Sequence, residues 1–103
     1  MIKTSKQRPL AVVADHDVAS LSRMRLAMED LGFRVEEVEN GVMACAAFVE
    51  HEPDIVILNA QLPIQDGLKS CEDIRCLPGG DTASIVVLAE RDDGELVDAA
   101  YTA

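Results

Sequence analysis

Three polar segments follow short apolar runs and hold the side chains best placed to do chemistry. They are Asp15-His16-Asp17, Asn59-Ala60 and Ala89-Glu90. Carboxylates gathered at one point would bind Mg²⁺, which prefers oxygen ligands and keeps several of its waters. Asp17 fits a helix N-cap better than a metal ligand, and Ser20 is an alternative cap for the same helix. Asp15, at the end of an apolar run, has no equally good structural explanation. Glu90 is a candidate further ligand.

Asn59 ends the apolar run Ile55-Val56-Ile57-Leu58, where a carboxylate would be a candidate metal ligand or nucleophile. Its amide is neutral and a far poorer nucleophile. The sequence has no nucleophile–base–orienter set, no histidines at metal-ligand spacing, and neither GxGxxG nor GxxxxGK. We therefore expect a protein that is not an enzyme, with no firm cofactor and only weak binding of Mg²⁺.

Charge and composition exclude several classes of function. The 103 residues are 49% hydrophobic, which suffices for the core of one small domain, and the formal net charge is -10. Lys3, Lys6 and Arg8 lie in a basic extension, residues 1–9, so the body at 10–103 is more acidic still. Such a body repels phosphate backbones, which argues against direct nucleic-acid binding. A solvated acidic surface explains the charge better than a clustered cation site.

The cysteines and the hydropathy indicate a cytoplasmic protein. Cys45, Cys71 and Cys76 are odd in number and lack metal spacing, so we interpret them as small buried apolar side chains. No apolar segment approaches membrane-spanning length, and no secretory signal precedes the first strand. We expect no association with a membrane.

Hydrophobic periodicity and turn residues predict alternating strands and helices. Apolar runs predict strands at 10–14, 33–38, 54–58 and 84–89, the second of them at an edge of the sheet. Helical spacing predicts four helices, the last one capped by Asp92 or Asp93 and running through Leu96, Val97 and Ala100. The predicted inward residues of the first three helices are Leu21, Met24, Met28 and Leu31; Val42, Cys45, Ala46 and Val49, with Ala44, Ala47 and Phe48 beside them; and Leu68, Cys71, Ile74 and Leu77.

This alternation implies a parallel sheet with right-handed crossovers and helices on both faces. The strands are too apolar for a half-exposed sheet, and the connections are too long for hairpins. The carboxyl ends of parallel strands share one edge of the sheet, so the three polar segments should converge there.

The chain resembles the receiver domain of bacterial two-component response regulators over nearly its whole length. AVVADHD is similar to the family's first strand and acidic pair, LAMEDLGFRVEEVENG to its first helix and second strand, PDIVILNAQLPIQDG to its phosphoacceptor segment, and SIVVLAERDD to its fourth strand. The resemblance implies a flavodoxin-like, doubly wound α/β fold of three αβα layers.

The same resemblance implies the loss of the phosphorylation chemistry. The phosphoacceptor aspartate falls on Asn59, the acidic pair falls on Asp15 and His16, and the hydroxyl of the switch residue is absent at Ala89. One carboxylate of the pair survives unless Asp17 swings in. The loop residues Pro63, Asp66 and Gly67 are kept.

We therefore interpret the chain as a degenerate receiver that docks a sensor kinase, or an attached or separate output domain, without phosphorylation. One alternative is a competent phosphoacceptor in which Asn59 is a substitution or deamidates. Another is a flavodoxin-like module that binds a small ligand, disfavoured because phosphate-loop residues and stacking Trp or Tyr are missing.

The resemblance also implies a fifth strand and a fifth helix, which lie beyond Ala103. Without them, the fourth strand would be an exposed apolar edge, and the sheet face beside the first helix would be bare. We expect that the chain continues in a longer polypeptide or that a second copy covers this edge in a homodimer.

Overall fold

The computed structural model describes residues 8–90 and 96–100, which form one sheet with helices on both faces. In chain order the elements are β1 Leu10–Ala14, α1 Val18–Asp30, β2 Arg34–Val38, α2 Gly41–His51, β3 Ile55–Asn59, α3 Gly67–Arg75, a 3-10 turn Gly80–Thr82, β4 Ser84–Glu90 and β5 Leu96–Ala100. The four predicted strands and the first three predicted helices are confirmed, with ends that shift by one or two residues.

The sheet has the strand order β2-β1-β3-β4-β5. The first four of these strands are parallel, with β2 at an edge as predicted. In this register Ala14 lies opposite Leu58, and Asn59 lies opposite Leu88. The residues that follow β1 and end β3 therefore meet at the carboxyl edge of the sheet.

Two apolar cores lie on opposite faces of the sheet because successive side chains of a strand point to opposite sides. Val12 and Ala14 of β1 belong to the core under α2 and α3, whereas Ala11 and Val13 belong to the core under α1. β1 is buried on both faces, which accounts for its uninterrupted apolar sequence.

Each of the three helices begins at a side-chain cap of the same kind. Asp17, Asn40 and Asp66 stand at the N-cap positions, and the side chain of each accepts a hydrogen bond from the backbone N–H three residues later, at 3.0, 2.8 and 2.8 Å. These bonds satisfy donors that the helix leaves unpaired. They also fix where each helix leaves the carboxyl edge of the sheet.

Several residues predicted to face inward lie at the surface. Leu31 is 71% exposed because α1 ends before it, and Leu68 is exposed on the outer side of α3. On α2 the buried face consists of Gly41, Ala44, Ala47 and Phe48, so the prediction for Val42, Ala46 and Val49 is wrong. A helix that is apolar all round gives no signal of which side is buried. Of the cysteines, Cys71 is buried, Cys45 is half-buried and Cys76 is exposed.

The predicted fourth helix is wrong. Residues 96–100 form β5, which runs antiparallel to β4 and pairs Leu88 with Asp98. The edge of β4 is therefore covered by β5, contrary to the prediction of a bare edge. The implied fifth strand was placed beyond Ala103, whereas β5 lies at residues 96–100. The predicted caps Asp92 and Asp93 lie outside the described residues. Short apolar segments fit either type of structure, so spacing alone does not decide between them.

On the α1 face of β4, Val86 and Leu88 are half-buried and pack against the core beneath α1. Within the described ranges, no helix combines the length and the apolar character needed to cross a bilayer.

Candidate functional site

The site lies where β1 and β3 end side by side. Asp15 directly follows β1 and Asn59 is the last residue of β3, and the Asn59 Nδ2 donates a hydrogen bond of 3.0 Å to the Asp15 Oδ2. The predicted convergence of these two side chains is confirmed. The contact joins a neutral donor to a carboxylate, where two carboxylates would repel each other.

Both carboxylate oxygens of Asp15 have partners within the protein. Oδ2 accepts from Asn59, and Oδ1 accepts from the backbone N–H of Asp17 at 3.0 Å. The backbone N–H of Asp15 donates to the carbonyl of Val38 in β2. Asp15 is only 2% exposed, so these bonds replace most of its contact with water. A carboxylate buried to this extent is stable only when it is hydrogen-bonded in this way.

The amide of Asn59 is held at both ends. Its Oδ1 accepts a hydrogen bond of 2.7 Å from the backbone N–H of Gln61, while its NH₂ group faces Asp15. An ionised carboxylate can only accept and a backbone N–H can only donate, so the two neighbours fix which way the amide points. Asp15 and Asn59 each close an Asx turn with the residue two positions later.

Asp17 is the N-cap of α1, as predicted, and its carboxylate points to Ser20. Oδ2 accepts from both the backbone N–H and the hydroxyl of Ser20, at 3.0 and 2.9 Å. These two hydrogen bonds lower the pKa of the Asp17 carboxyl. Because it caps α1, the Asp17 carboxylate is directed towards Ser20 and not towards Asp15.

An open pocket of about 290 Å³ lies over the contact between Asp15 and Asn59. It is lined by Asp15, His16, Asp17, Ser20, Asn59 and Gln61. The Nδ1 of His16 lies 3.7 Å from Asp15 Oδ1, and this side chain is 60% exposed. A protonated His16 would thus bring positive charge to the position that the resemblance assigns to a second carboxylate.

Ala89, near the end of β4, does not line this pocket. Ala89 is half-buried in β4 and carries no hydroxyl, and the side chain of Glu90 lies outside what the structure describes. The backbone does connect β4 to the site, because the N–H of Ala60 donates to the carbonyl of Leu88 at 2.7 Å.

The loop between β3 and α3 holds the three retained residues. Asp66 caps α3, and the N–H of Gly67 donates to the carbonyl of Ala60 at 3.0 Å. A Cβ at Gly67 would overlap the carbonyl oxygen of Asn59, so only glycine allows this approach. Pro63 is exposed, and its carbonyl accepts from the N–H of Gln65 at 2.7 Å.

The hydrogen bond from the N–H of Gln65 to the carbonyl of Pro63 closes a three-residue γ-turn centred on Ile64. Ile64 has a φ of 69° and is 80% exposed. A β-branched residue in this region is strained, and the positive-φ form of the γ-turn is rare. The sequence analysis did not single out Ile64, and no local sequence signal marks this turn.

Two further residues of the site were missed or left open. Gln61 was not anticipated, although an asparagine at a strand end commonly bonds to the N–H two positions later, so this signal was available. Ser20 was predicted only as an alternative cap; in the structure it is the group that Asp17 binds.

The residues present fit Mg²⁺ poorly. Each oxygen of the Asp15 carboxylate already accepts one hydrogen bond, from the NH₂ group of Asn59 or from the N–H of Asp17, so a cation there would lie close to the positive hydrogens of these donors. The Asp17 carboxylate itself points to Ser20. Over residues 8–89, where side chains are described, no three His, Cys, Asp or Glu side chains come together as a metal site would require. Mg²⁺ in proteins usually takes one or two carboxylates together with substrate phosphates.

We therefore expect a dissociation constant for Mg²⁺ of about 1 mM or weaker, since only one carboxylate is available and each of its oxygens already accepts a hydrogen bond. Isothermal titration calorimetry at low ionic strength measures this constant, with Asp15→Ala as the control. Sub-millimolar binding that Asp15→Ala abolishes would contradict the expectation, and would show that Asp17 or Glu90 completes a site.

The fold and this site define a receiver domain. The family model described as the response regulator receiver domain matches residues 11–103, so the chain belongs to the receiver domains of two-component response regulators.

Relatives within this family are about one-third identical to the chain. The response regulator MprA of Mycobacterium sp. (strain KMS) is 35% identical over 81 residues, which are 79% of this chain and 34% of that protein. MprA of Mycobacterium ulcerans (strain Agy99) is 33% identical over the same length, with the same two coverages. The matched part of the chain thus spans about a third of the length of these relatives.

Solved structures show the same fold. A putative response regulator from Chloroflexus aurantiacus superposes with a TM-score of 0.78 at 24% identity, covering 84% of this chain and 71% of that one. The receiver domain of the sensor histidine kinase PA1611 from Pseudomonas aeruginosa, which has a magnesium ion coordinated in its active-site cleft, superposes with a TM-score of 0.74 at 20% identity, covering 79% and 66%.

Proposed function

We propose that this receiver domain is a non-enzymatic signalling module that binds a protein partner without being phosphorylated. The observation that carries the proposal is the hydrogen bond from the Asn59 amide to the Asp15 carboxylate. In this arrangement an amide occupies the position of the phosphoacceptor and neutralises, in part, the carboxylate that would otherwise attract a cation.

Three chemical requirements of phosphoryl transfer are weakened together. The amide of Asn59 is a poor nucleophile, because its nitrogen lone pair is delocalised and its oxygen accepts from Gln61. Stabilisation of the transferred phosphoryl group needs a bound cation, and Asp15 alone holds one badly. Ala89 has no hydroxyl to follow a phosphoryl oxygen.

Deamidation of Asn59 is the second candidate route to function, and the local contacts oppose it. Deamidation begins with attack of the next backbone nitrogen, that of Ala60, on the side-chain carbonyl carbon. This nitrogen donates to the Leu88 carbonyl at 2.7 Å, and both ends of the Asn59 amide are hydrogen-bonded. These three hydrogen bonds would have to break before the Ala60 nitrogen could attack the side-chain carbonyl carbon.

Membership of the family supports the kind of partner. A sensor kinase, or an output domain attached to the receiver or separate from it, is the partner that a response regulator receiver domain implies. Since the chain matches about a third of its MprA relatives, the activity of a whole regulator is also part of this proposal.

Treatment with acetyl phosphate and Mg²⁺ is expected to leave the mass of the protein unchanged, because Asn59 offers no carboxylate. Intact-mass spectrometry measures this directly, and prolonged incubation before the treatment also tests for deamidation. The matched control is Asn59→Asp, which should accept a phosphoryl group in part of the molecules.

Modification of the control should remain partial, because His16 supplies no second negative charge for the cation. It should also change the conformation little, because Ala89 cannot respond to the phosphoryl group. A stoichiometric phosphoryl adduct on the unaltered chain would overturn the proposal.

A further inference from the structure

The solvent-facing side of α2 is apolar along most of its length. Val42, Met43, Ala46 and Val49 are all exposed, and the helix contains no charged residue before Glu50. Positions 42, 46 and 49 follow the spacing i, i+4, i+7 and so form one stripe on a helix. Surface helices normally carry polar residues on this side, and apolar surface patches bordered by polar groups mark interaction sites.

The side chains of the stripe differ in size. Ala46 is smaller than Val42 and Val49, which stand before and after it along the stripe, and a small residue at this position lets another helix approach closely. On one flank α3 lies close, because the Sγ of Cys45 is 3.9 Å from the carbonyl of Ser70. The side of α2 that carries Cys45 is therefore covered by α3, whereas the stripe itself faces solvent.

Another exposed apolar side chain lies near the start of α2. A Cβ at Gly41 would overlap the carbonyl oxygen of Gln65, so the loop that carries Ile64 lies directly against the first residue of the helix. Ile64 is largely exposed and is held in its strained γ-turn in this loop. Gly41 belongs to the buried face of α2, so this contact lies beside the stripe and is not part of it.

The border of the stripe is mainly acidic. Glu39 precedes α2, Glu50 and Glu52 stand at its C-terminal end, and all three are exposed. Glu36 is exposed on β2, on the same face of the sheet, since Val38 two residues later is buried beneath α2. Among the basic groups nearby, Lys69 is paired with Asp73 at 3.2 Å.

We propose that the exposed face of α2 is the docking surface for an amphipathic helix of another protein, with apolar side chains in the centre and Lys or Arg at its edges. Charge complementarity selects this partner over a second copy, because two chains of net charge -10 would bring two acidic borders together. Helices that bind this way present apolar anchors at i, i+3 or i+4, and i+7. The inference rests on the proposed function, in which the domain acts by binding a partner.

The test uses a synthetic 18-residue peptide of Leu and Lys, fluorescently labelled, with Leu on one helical face. Fluorescence anisotropy with the full 103-residue chain should show saturable binding. A peptide of the same composition, with Leu distributed around the helix, should bind at least tenfold more weakly. Equal binding of the two peptides would overturn the proposal, since net charge alone would then explain the interaction.

Paired variants locate the surface. Val42→Glu with Val49→Glu on α2 should weaken binding at least tenfold. The control pair, Val18→Glu at the start of α1 with Leu31→Glu just after its end, should change binding less than twofold. Both pairs place two new charges at exposed apolar positions, so equal losses would contradict the assignment. Ala46→Trp places a large side chain in the middle of the stripe without a change of charge and should also weaken binding, so the test does not depend on correct folding of the first pair.

Sedimentation velocity tests whether a second copy of the chain, and not another protein, covers the exposed face of α2. A dimer of the unaltered chain that Val42→Glu with Val49→Glu dissociates would overturn the proposal in favour of a second copy. The peptide-binding test and the phosphorylation test fail independently. A phosphoryl adduct would overturn the proposed function and leave peptide binding unaffected. Failure of the peptide to bind would overturn the docking proposal and leave the mass result unchanged.

Discussion

Asn59→Asp is expected to lower the free energy of unfolding by roughly 1–3 kcal/mol at neutral pH without divalent cations. The replacement removes the donor that Asp15 Oδ2 accepts from at 3.0 Å and puts a second carboxylate in its place. Two carboxylates at this separation repel each other and cannot both stay ionised easily. Asp15 is buried, so water replaces the lost hydrogen bond only in part.

Mg²⁺ should restore part of this stability, because an ion that binds only the folded state stabilises it by mass action. The unaltered chain should respond much less, since its amide already occupies the Asp15 carboxylate.

Urea unfolding measured without Mg²⁺ and at increasing Mg²⁺ concentrations tests these effects. Two further variants separate their causes. Asn59→Ala removes the donor without adding charge, so it should destabilise the domain but not respond to Mg²⁺. Asn59→Asp combined with His16→Asp should respond to Mg²⁺ more strongly than Asn59→Asp alone. A stable Asn59→Asp variant that ignores Mg²⁺ would show that the amide does not perform the role we assign to it.

Most of the fold could be predicted because the strands and helices carry strong, independent signals. The run Leu10–Ala14 is apolar without interruption because β1 is covered on both faces. The turn residues Asn40-Gly41 and Pro53 mark the start and the end of α2. Parallel topology then followed from the length of the connections.

The errors arise where the sequence is locally ambiguous. α2 has apolar side chains all round, so its buried side could not be chosen, and Val42 and Val49 were assigned to the wrong face. Leu96–Ala100 is too short for periodicity to separate helix from strand, and pairing with β4 decides the outcome. Tertiary contacts settle both cases.

At the site, the sequence predicted which residues meet but not how they bond. Asp15 and Asn59 follow strands that were predicted to end together, and the structure places them in contact. The direction of the amide depends on the backbone N–H of Gln61, an Asx-turn contact that a prediction based on converging side chains alone does not include. The strain at Ile64 was inaccessible, because isoleucine is a residue that avoids positive φ.

Gly67→Ala is expected to destabilise the domain by roughly 3 kcal/mol, and to disturb the site as well. A Cβ at position 67 would overlap the carbonyl oxygen of Asn59 and crowd the backbone at Ala60. These are backbone atoms at the end of a buried strand, so the clash cannot be relieved by rotating a side chain. Either α3 or the end of β3 must move, which breaks the bond from the Gly67 N–H to the Ala60 carbonyl.

Gly79→Ala is the matched control, because it also adds one methyl group at a loop glycine. Gly79 has a φ of 81° and nothing within 4 Å of the added Cβ, so the cost should be about 1 kcal/mol from backbone strain alone. Urea unfolding compares the two variants, and the side-chain NH₂ resonances of Asn59 report on the site. Those resonances should shift in Gly67→Ala and stay in place in Gly79→Ala. If the two variants lose equal stability and neither moves the Asn59 resonances, the close approach of α3 to the end of β3 does not position the Asn59–Asp15 contact.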